Sequence, residues 1–237
     1  MSKAENPAAG TATLQRGANV RIFPDWRNGV WHNRNYLPHF ESAVAIQHVT
    51  FHLADSIPKS SLERINAEVE SLSIEHQKVA RRKKLEEWMD AGHGQCLLKN
   101  EKVAQTVQSS LLHFDNQRYC LLAWVIMPNH VHVLFEPIAP WTMARIIASW
   151  KSFTGRKIAE LVPSPSLNPS QGQIVWRREY WDRFIRNERH LRQAIEYIHE
   201  NPVKAGLVKT PADWPWSSAS HPGTATLQRG ANPESAK

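Results

Sequence analysis

Trp124-Val125-Ile126-Met127-Pro128-Asn129-His130-Val131-His132-Val133-Leu134-Phe135 decides the architecture of this chain. An apolar run reaches Met127, turns at Pro128-Asn129 and resumes as an alternation, which is the pattern of a β-hairpin. Successive side chains of a strand point to opposite faces, so His130 and His132 share one face while Val131, Val133 and Phe135 share the other. Two imidazoles so placed lie about 7 Å apart at their Cβ atoms and can converge on one small cation. A His-x-His pair alone is weak evidence; a second motif far along the chain strengthens it.

The surrounding composition narrows the class. The 237 residues suit one domain with extensions. Lys+Arg 29 against Asp+Glu 22 gives a formal charge of +7, and the pI is near 9.6, a balance that favours a polyanionic partner, nucleic acid first. The longest apolar run, Cys120 to Met127, is too short to span a bilayer. Residues Met1 to Asn19 show no charged-then-apolar signal. Cys96 and Cys120 lack zinc or redox spacing, which points to a reducing compartment and to ordinary apolar roles for both thiols; a cytoplasmic, nucleoid-associated location is expected of a basic protein that acts on DNA. Ten tryptophans, several among Arg and Lys, suit stacking on unpaired bases as well as core packing.

Gly10-Thr11-Ala12-Thr13-Leu14-Gln15-Arg16-Gly17-Ala18-Asn19 recurs as Gly223-Thr224-Ala225-Thr226-Leu227-Gln228-Arg229-Gly230-Ala231-Asn232. Each copy sits in a tail with no apolar period, so residues 1–22 and 219–237 are expected to be disordered around one domain at 23–218. Inside that domain, Ala43 to Ala54 reads as a strand with Ala45, Gln47, Val49, Phe51 and Leu53 on one face. Ser60-Ser61-Leu62-Glu63 has the form of a capping box opening a helix striped by Leu62, Ile65, Val69 and Leu72. Glu75 to Ala91 is a basic helical run that stops at Gly92, more simply a solvated face than a phosphate contact. Asn100 to Leu112 is a third helix. Trp141 to Leu161 is a fourth, with Ile146, Ile147, Trp150 and Phe153 inward and Lys151, Arg156 and Lys157 largely outward. Pro163 to Gly172 reads as a mobile linker, and Ile174 to Ile185 as strand. The order suits an α+β sandwich: an antiparallel sheet with helices on one face.

The last helix runs from Glu188, capped by Asn187, to Glu200, with Pro202 stopping it. Its core stripe is Leu191, Ala194, Ile195 and Ile198. Tyr197 lies about 120° from the middle of that stripe, so the core does not need it, and Asn201 follows one turn along the same flank. A divalent metal held by two imidazoles and an amide oxygen keeps positions open for phosphate oxygens and can stabilise charge on a transferring phosphoryl group. Tyrosine attack on such a phosphate gives a phosphotyrosine and frees a 3′-hydroxyl; a later hydroxyl can reverse the step without ATP.

Met-Pro-Asn-His-Val-His-Val-Leu at 127–134, Trp-Arg-Arg-Glu-Tyr-Trp-Asp-Arg-Phe-Ile-Arg-Asn at 176–187 and Tyr-Ile-His-Glu-Asn-Pro-Val-Lys-Ala-Gly-Leu-Val at 197–208 resemble the REP-associated tyrosine transposases, relatives of the single-strand insertion-sequence transposases with an HUH metal motif. The resemblance covers roughly residues 23–218. It implies a ferredoxin-like fold, Mg²⁺ or Mn²⁺ as cofactor, and as partner single-stranded DNA folded into hairpins from repetitive extragenic palindromes; the sequence leaves monomer and homodimer both open. It assigns His130, His132 and Asn201 as metal ligands and Tyr197 as nucleophile, with Gln more usual than Asn at the third ligand in the insertion-sequence relatives. Tyr180, among Arg177, Arg178 and Arg183, is the second choice of nucleophile, while Tyr36 and Tyr119 read as packing residues. Expected DNA contacts are Lys151, Arg156, Arg177, Arg178, Arg183, Arg186 and Lys204. A DNA-binding protein of this fold that has lost cleavage and a metal hydrolase using water are the competing readings.

Overall fold

The computed structural model describes residues 30–33, 38–41, 45–162 and 174–221. The repeated decapeptides, the Pro163 to Gly172 stretch and Tyr36 lie outside these residues. In chain order the elements are β1 (Val30–Asn33), β2 (Pro38–Glu41), β3 (Gln47–His52), α1 (Lys59–Glu70), α2 (Ile74–Asp90), α3 (Glu101–His113), β4 (Tyr119–Ile126), β5 (His130–Pro137), α4 (Met143–Leu161), β6 (Trp181–Phe184) and α5 (Glu188–Lys204). β1 and β2 pair with each other, and the remaining strands form one antiparallel sheet in the order β4-β5-β3-β6. Taken as β3, α3, β4, β5, α4, β6, the order is ferredoxin-like, with the α1–α2 hairpin inserted before α3.

The hairpin forms where the alternation placed it. Met127 N donates to His130 O at 2.8 Å to close the β4–β5 turn. Val131, Val133 and Phe135 face α3 and α4, where Val103, Val107, Leu111, Ile146, Ile147 and Trp150 complete the main core. On the opposite face Leu122, Val125 and Leu134 pack against Leu191, Ala194 and Ile198 of α5. A register shift between Leu121 and Ala123 puts the consecutive residues Leu122 and Ala123 in the same core, on the α5 side. The one-face layering expected of the sandwich thus holds for α3 and α4, and α5 is added on the other side, beside the histidines.

Several local expectations change. Ser60 lies inside the first turn of α1, whose N-cap is Pro58 with no side-chain cap bond, so the capping box does not form. α5 continues through Pro202 to Lys204. The missing proline N–H removes a single helical bond; Ala205 N still reaches Asn201 O at 3.0 Å, and Gly206 at φ +69° ends the helix. Phe153 is 43% exposed rather than inward. The strand-like text from Ile174 gives only β6, because pairing jumps from the Leu53–Trp176 bridge to Thr50–Trp181 and leaves Arg178 to Tyr180 between.

The basic run on α2 serves its own hairpin where the described side chains show it. Arg81 Nε donates to Asn66 Oδ1 at 2.8 Å, and Lys84 Nζ lies 2.6 Å from Glu68 Oε2. Ile57, Ile65, Leu85 and Met89 give this hairpin a small core of its own. The outer edge of β4 is covered by the chain after α5: Ile126 N donates to Trp216 O at 2.8 Å and Trp124 N to Ser218 Oγ at 3.0 Å. An edge strand so paired cannot recruit another chain.

Candidate metal centre and nucleophile

β5 buries both imidazoles, His130 at 0% and His132 at 1% exposure. Their Nε2 atoms lie 3.1 Å apart, and each Nδ1 has its own partner. His130 Nδ1 is 2.8 Å from Asn129 Oδ1. The orientation of that amide is fixed, because Asn129 Nδ2 donates to His93 O at 2.9 Å. Oδ1 therefore accepts, Nδ1 of His130 carries the proton, and its Nε2 presents a lone pair. His132 Nδ1 is 2.8 Å from Thr50 Oγ1 on the neighbouring strand. Burial first, then repulsion from His52, lowers the His130 pKa to about 3. Burial, then His130 and His48, pushes His132 well below the usual histidine range. Neutral imidazoles with converging nitrogens are in the ligating form; without a cation the Nε2 pair can share one proton, which metal binding would displace.

Oxygen donors complete the cluster. Asp90, the last residue of α2, sets Oδ1 3.6 Å from His130 Nε2, and the donor atoms of Asp90, His130 and His132 lie within 4.8 Å of one another. Asn201 is 1% exposed, with Nδ2 3.3 Å from His132 Nε2. Asp90 Oδ1 and Asn201 Oδ1 are buried with no hydrogen-bond partner. Turning the Asn201 amide over, which preserves its shape, aims its oxygen at the imidazoles. Burial, reinforced by Glu86 and opposed by Lys204, raises the Asp90 pKa to about 6, the behaviour of a carboxylate short of a cation. Orphaned oxygens beside neutral nitrogens fit a divalent metal by donor chemistry. Sequence reading missed Asp90, because the run around it carries only the signature of a solvated helix.

β3 lines the same face. His48, Thr50 and His52 alternate with the apolar residues Val49 and Phe51, and His52 opposes His130 in register. His52 Nδ1 bonds Ser56 Oγ at 2.5 Å, and its ring stacks on Trp181 at 4.8 Å and 6°. Its pKa falls to about 3 through burial, then the Arg177 charge. These polar positions sat in plain view in the alternation of β3, opposite the face that the sequence reading named.

Tyr197 is half-buried on α5, its ring centroid 5.4 Å from His132 and 5.8 Å from His48. Lys204 Nζ lies 5.2 Å from the same ring. The structure thus brings Tyr197, Asn201, His130 and His132 together. Tyr180 is buried in the α3–α4 core, on the other face. Tyr119 donates to Leu111 O at 2.8 Å and accepts from Trp150 Nε1 at 3.0 Å, and burial drives its pKa up to about 12.

The basic residues separate. Arg183 is exposed on the histidine side of the sheet, opposite His48 in register. Arg178, Arg186 and Lys204 are exposed and Arg177 is half-buried. Arg156 is exposed on α4, which packs on the far face. Lys151 turns inward instead of outward. Its Nζ donates to Arg177 O at 2.5 Å and Arg178 O at 2.7 Å, clamping the segment before β6, and burial lowers its pKa to about 8. Trp176 is 5% exposed and donates to Thr154 Oγ1 at 2.9 Å, so its ring belongs to the core and is closed to bases.

Residues 95–201 match the family model for IS200-like transposases. The chain is similar in sequence to two REP-associated tyrosine transposases, the group that its three motifs resemble. A Haemophilus influenzae protein assigned to that group is 32% identical over 100 residues, 41% of this chain and 57% of that protein. The Escherichia coli REP-associated tyrosine transposase is 30% identical over 96 residues, 40% of this chain and 52% of that one. The alignments span about half the length of each relative. A solved REP-associated tyrosine transposase bound to a REP hairpin is 19% identical, covering 84% of this chain and 88% of its own, with a TM-score of 0.46. Among the described residues no helix is long and apolar enough to cross a membrane.

Proposed function

We propose that the protein cleaves and rejoins single-stranded, hairpin-bearing DNA through a 5′-phosphotyrosine on Tyr197. The observation that carries the reading is the juxtaposition of two neutral imidazoles, their Nε2 atoms 3.1 Å apart, with a tyrosine ring 5.4 Å from one of them. The relatives' names support it.

His130, His132, Asn201 and the carboxylate of Asp90 would hold the divalent ion, Mg²⁺ or Mn²⁺, which when bound supplies positive charge against the scissile phosphate. Thr50 and Asn129 hold the two imidazoles by their outer nitrogens, fixing ring direction before substrate arrives. The oxygen of Tyr197 attacks phosphorus, the P–O3′ bond breaks, and the freed 3′ oxygen takes up a proton while the phenol loses one. Lys204, against the Tyr197 ring, stabilises the phenolate as it forms. Arg177, Arg183 and Lys204 adjoin this face, and with the exposed Arg178 and Arg186 they would meet the DNA backbone. The resulting ester conserves the energy of the broken bond, so an incoming 3′-hydroxyl reverses the step.

Incubation with labelled hairpin-bearing single strands tests the reading. A protein–DNA adduct that survives denaturant and disappears in Tyr197→Phe is expected. DNA cleaved without an adduct would indicate water as nucleophile, and tight binding without cleavage under Mg²⁺ or Mn²⁺ would indicate a protein that only binds its repeats.

A further inference from the structure

Beside Tyr197, between the histidine face of the sheet and α5, lies a cavity of about 240 Å³. Its walls include Trp181, His48, Arg183, Gln193, Tyr197 and Glu86. We propose that it receives one unpaired nucleobase carrying an exocyclic amino group, the base of the nucleotide adjoining the scissile phosphate; the proposal rests on the transesterification reading above.

Connectivity is the first argument. Tyr197 is at once a wall of the cavity and the attacking group, so a phosphate within reach of its hydroxyl brings a flanking base to the cavity mouth. The second is preorganisation. Trp181 is stacked on His52 at 4.8 Å and 6° and packed against the small α1–α2 core, so an aromatic wall is already in place when DNA arrives. The third is donor chemistry. Arg183 supplies a guanidinium, but Glu86 sets a carboxylate in the same wall, which opposes a phosphate there. A carboxylate accepts from the amino group of cytosine, and a glutamine amide such as Gln193 matches the adenine edge, in each case through an exocyclic amine. Thymine has no exocyclic amine and should bind least well. Glu86 comes from the inserted α1–α2 hairpin, so that insertion would set base preference as well as supply Asp90.

Binding is measured with Tyr197→Phe, which keeps the cavity wall and cannot cleave, after the cleavage point has been mapped with the wild type. Each unpaired nucleotide flanking that point is replaced in turn by an abasic unit and by each of the four bases. The expected result is one position at which the abasic unit weakens binding by about tenfold, the scale of a lost base–aromatic stack, and at which thymine is the poorest base. Adding Glu86→Ala should weaken the discrimination of cytosine against thymine while leaving the abasic loss, and adding Gln193→Ala on the exposed side of α5 should weaken that of adenine against thymine. Circular dichroism melts confirm that the variants are folded. Equal affinities for all four bases and the abasic unit at every flanking position would overturn the cavity proposal while cleavage by the wild type leaves the transposase reading standing. No adduct and no cleavage by the wild type would overturn that reading, and this one with it.

Discussion

Replacing Thr50 by valine removes one oxygen from behind the candidate metal centre and leaves the shape of the side chain nearly unchanged. Thr50 is 6% exposed and its Oγ1 lies 2.8 Å from His132 Nδ1. With a cation on Nε2 the proton must sit on Nδ1, so that N–H donates to Thr50 and has no water to fall back on. Leaving a buried donor unsatisfied costs about 1–3 kcal/mol. Losing such an outer partner lowers metal affinity about 10- to 100-fold. These two effects separate in a melt performed with and without Mn²⁺. At a free concentration 100 times the wild-type Kd, the ion stabilises the wild type by about 2.7 kcal/mol. The same concentration stabilises a tenfold weaker site by about 1.4 kcal/mol and a hundredfold weaker one by about 0.4 kcal/mol. Chemical denaturation in Mn²⁺ and in EDTA gives both increments, and calorimetric titration of Mn²⁺ gives the affinity directly. Thr50→Ser, which restores the hydroxyl, should recover most of the affinity. A Thr50→Val protein that binds Mn²⁺ as tightly as the wild type would refute the idea that β3 orients the ligands of β5.

Other outcomes follow from the same geometry. Asp90→Asn should weaken Mn²⁺ binding by about tenfold or more while the α1–α2 core stays folded, checked by titration and far-UV dichroism. His132→Ala should abolish the Mn²⁺-induced rise in melting temperature, yet leave most of the affinity for hairpin DNA, since backbone contacts lie elsewhere; fluorescence anisotropy at two salt concentrations measures the latter. Burial lowers the Lys151 pKa in the folded protein from the ordinary 10.5 to about 8. Its unfolded form therefore holds the proton more tightly, and stability should rise as pH climbs through that interval, by up to about 3 kcal/mol. Urea titrations should show that rise in the wild type and lack it in Lys151→Met. Ending the chain after Gly206 would remove Trp216 and Ser218 from β4 and open an edge strand, so light scattering on mild heating should reveal aggregation that the full chain does not show.

The hairpin, the antiparallel sheet and the direction of α5 were legible because each rests on a periodicity. Alternation from His130 to Phe135 fixed which side chains shared a face, and the stripe of Leu191, Ala194 and Ile198 left Tyr197 and Asn201 on a flank of α5. What failed were termini and individual side chains. Pro202 reads as a stop, yet near the end of a helix a proline forfeits one bond and its φ is compatible with the turn. Lys151 sits at a position that a helical wheel treats as half-exposed, and only the tertiary arrival of the Arg177 and Arg178 carbonyls turns it inward. Trp176 next to two arginines resembles a stacking platform in sequence, whereas the jump in β3–β6 pairing turns its ring under α4.

Asp90 shows a limit that periodicity cannot pass. Its carboxylate meets the imidazoles of β5 although it stands 40 positions before His130 and 42 before His132, and nothing in the text around it departs from an amphipathic, charged helix. Long-range placement of this kind depends on the inserted hairpin packing by its own small core beside Trp181. The insertion is therefore more than a surface embellishment. It carries one candidate ligand at the end of α2 and, one turn earlier, Glu86 in the cavity beside Tyr197. A substitution that loosens the α1–α2 core, such as Leu85→Ala, would act on the metal centre from a distance. Leu85 is 1% exposed, so truncation should cost about 2–5 kcal/mol, concentrated in the hairpin. If the insertion only decorates the fold, that variant will keep wild-type Mn²⁺ affinity below its melting temperature. If the hairpin delivers Asp90, affinity will fall together with local protection of α2 from hydrogen exchange, while amides of β5 and α5 stay protected.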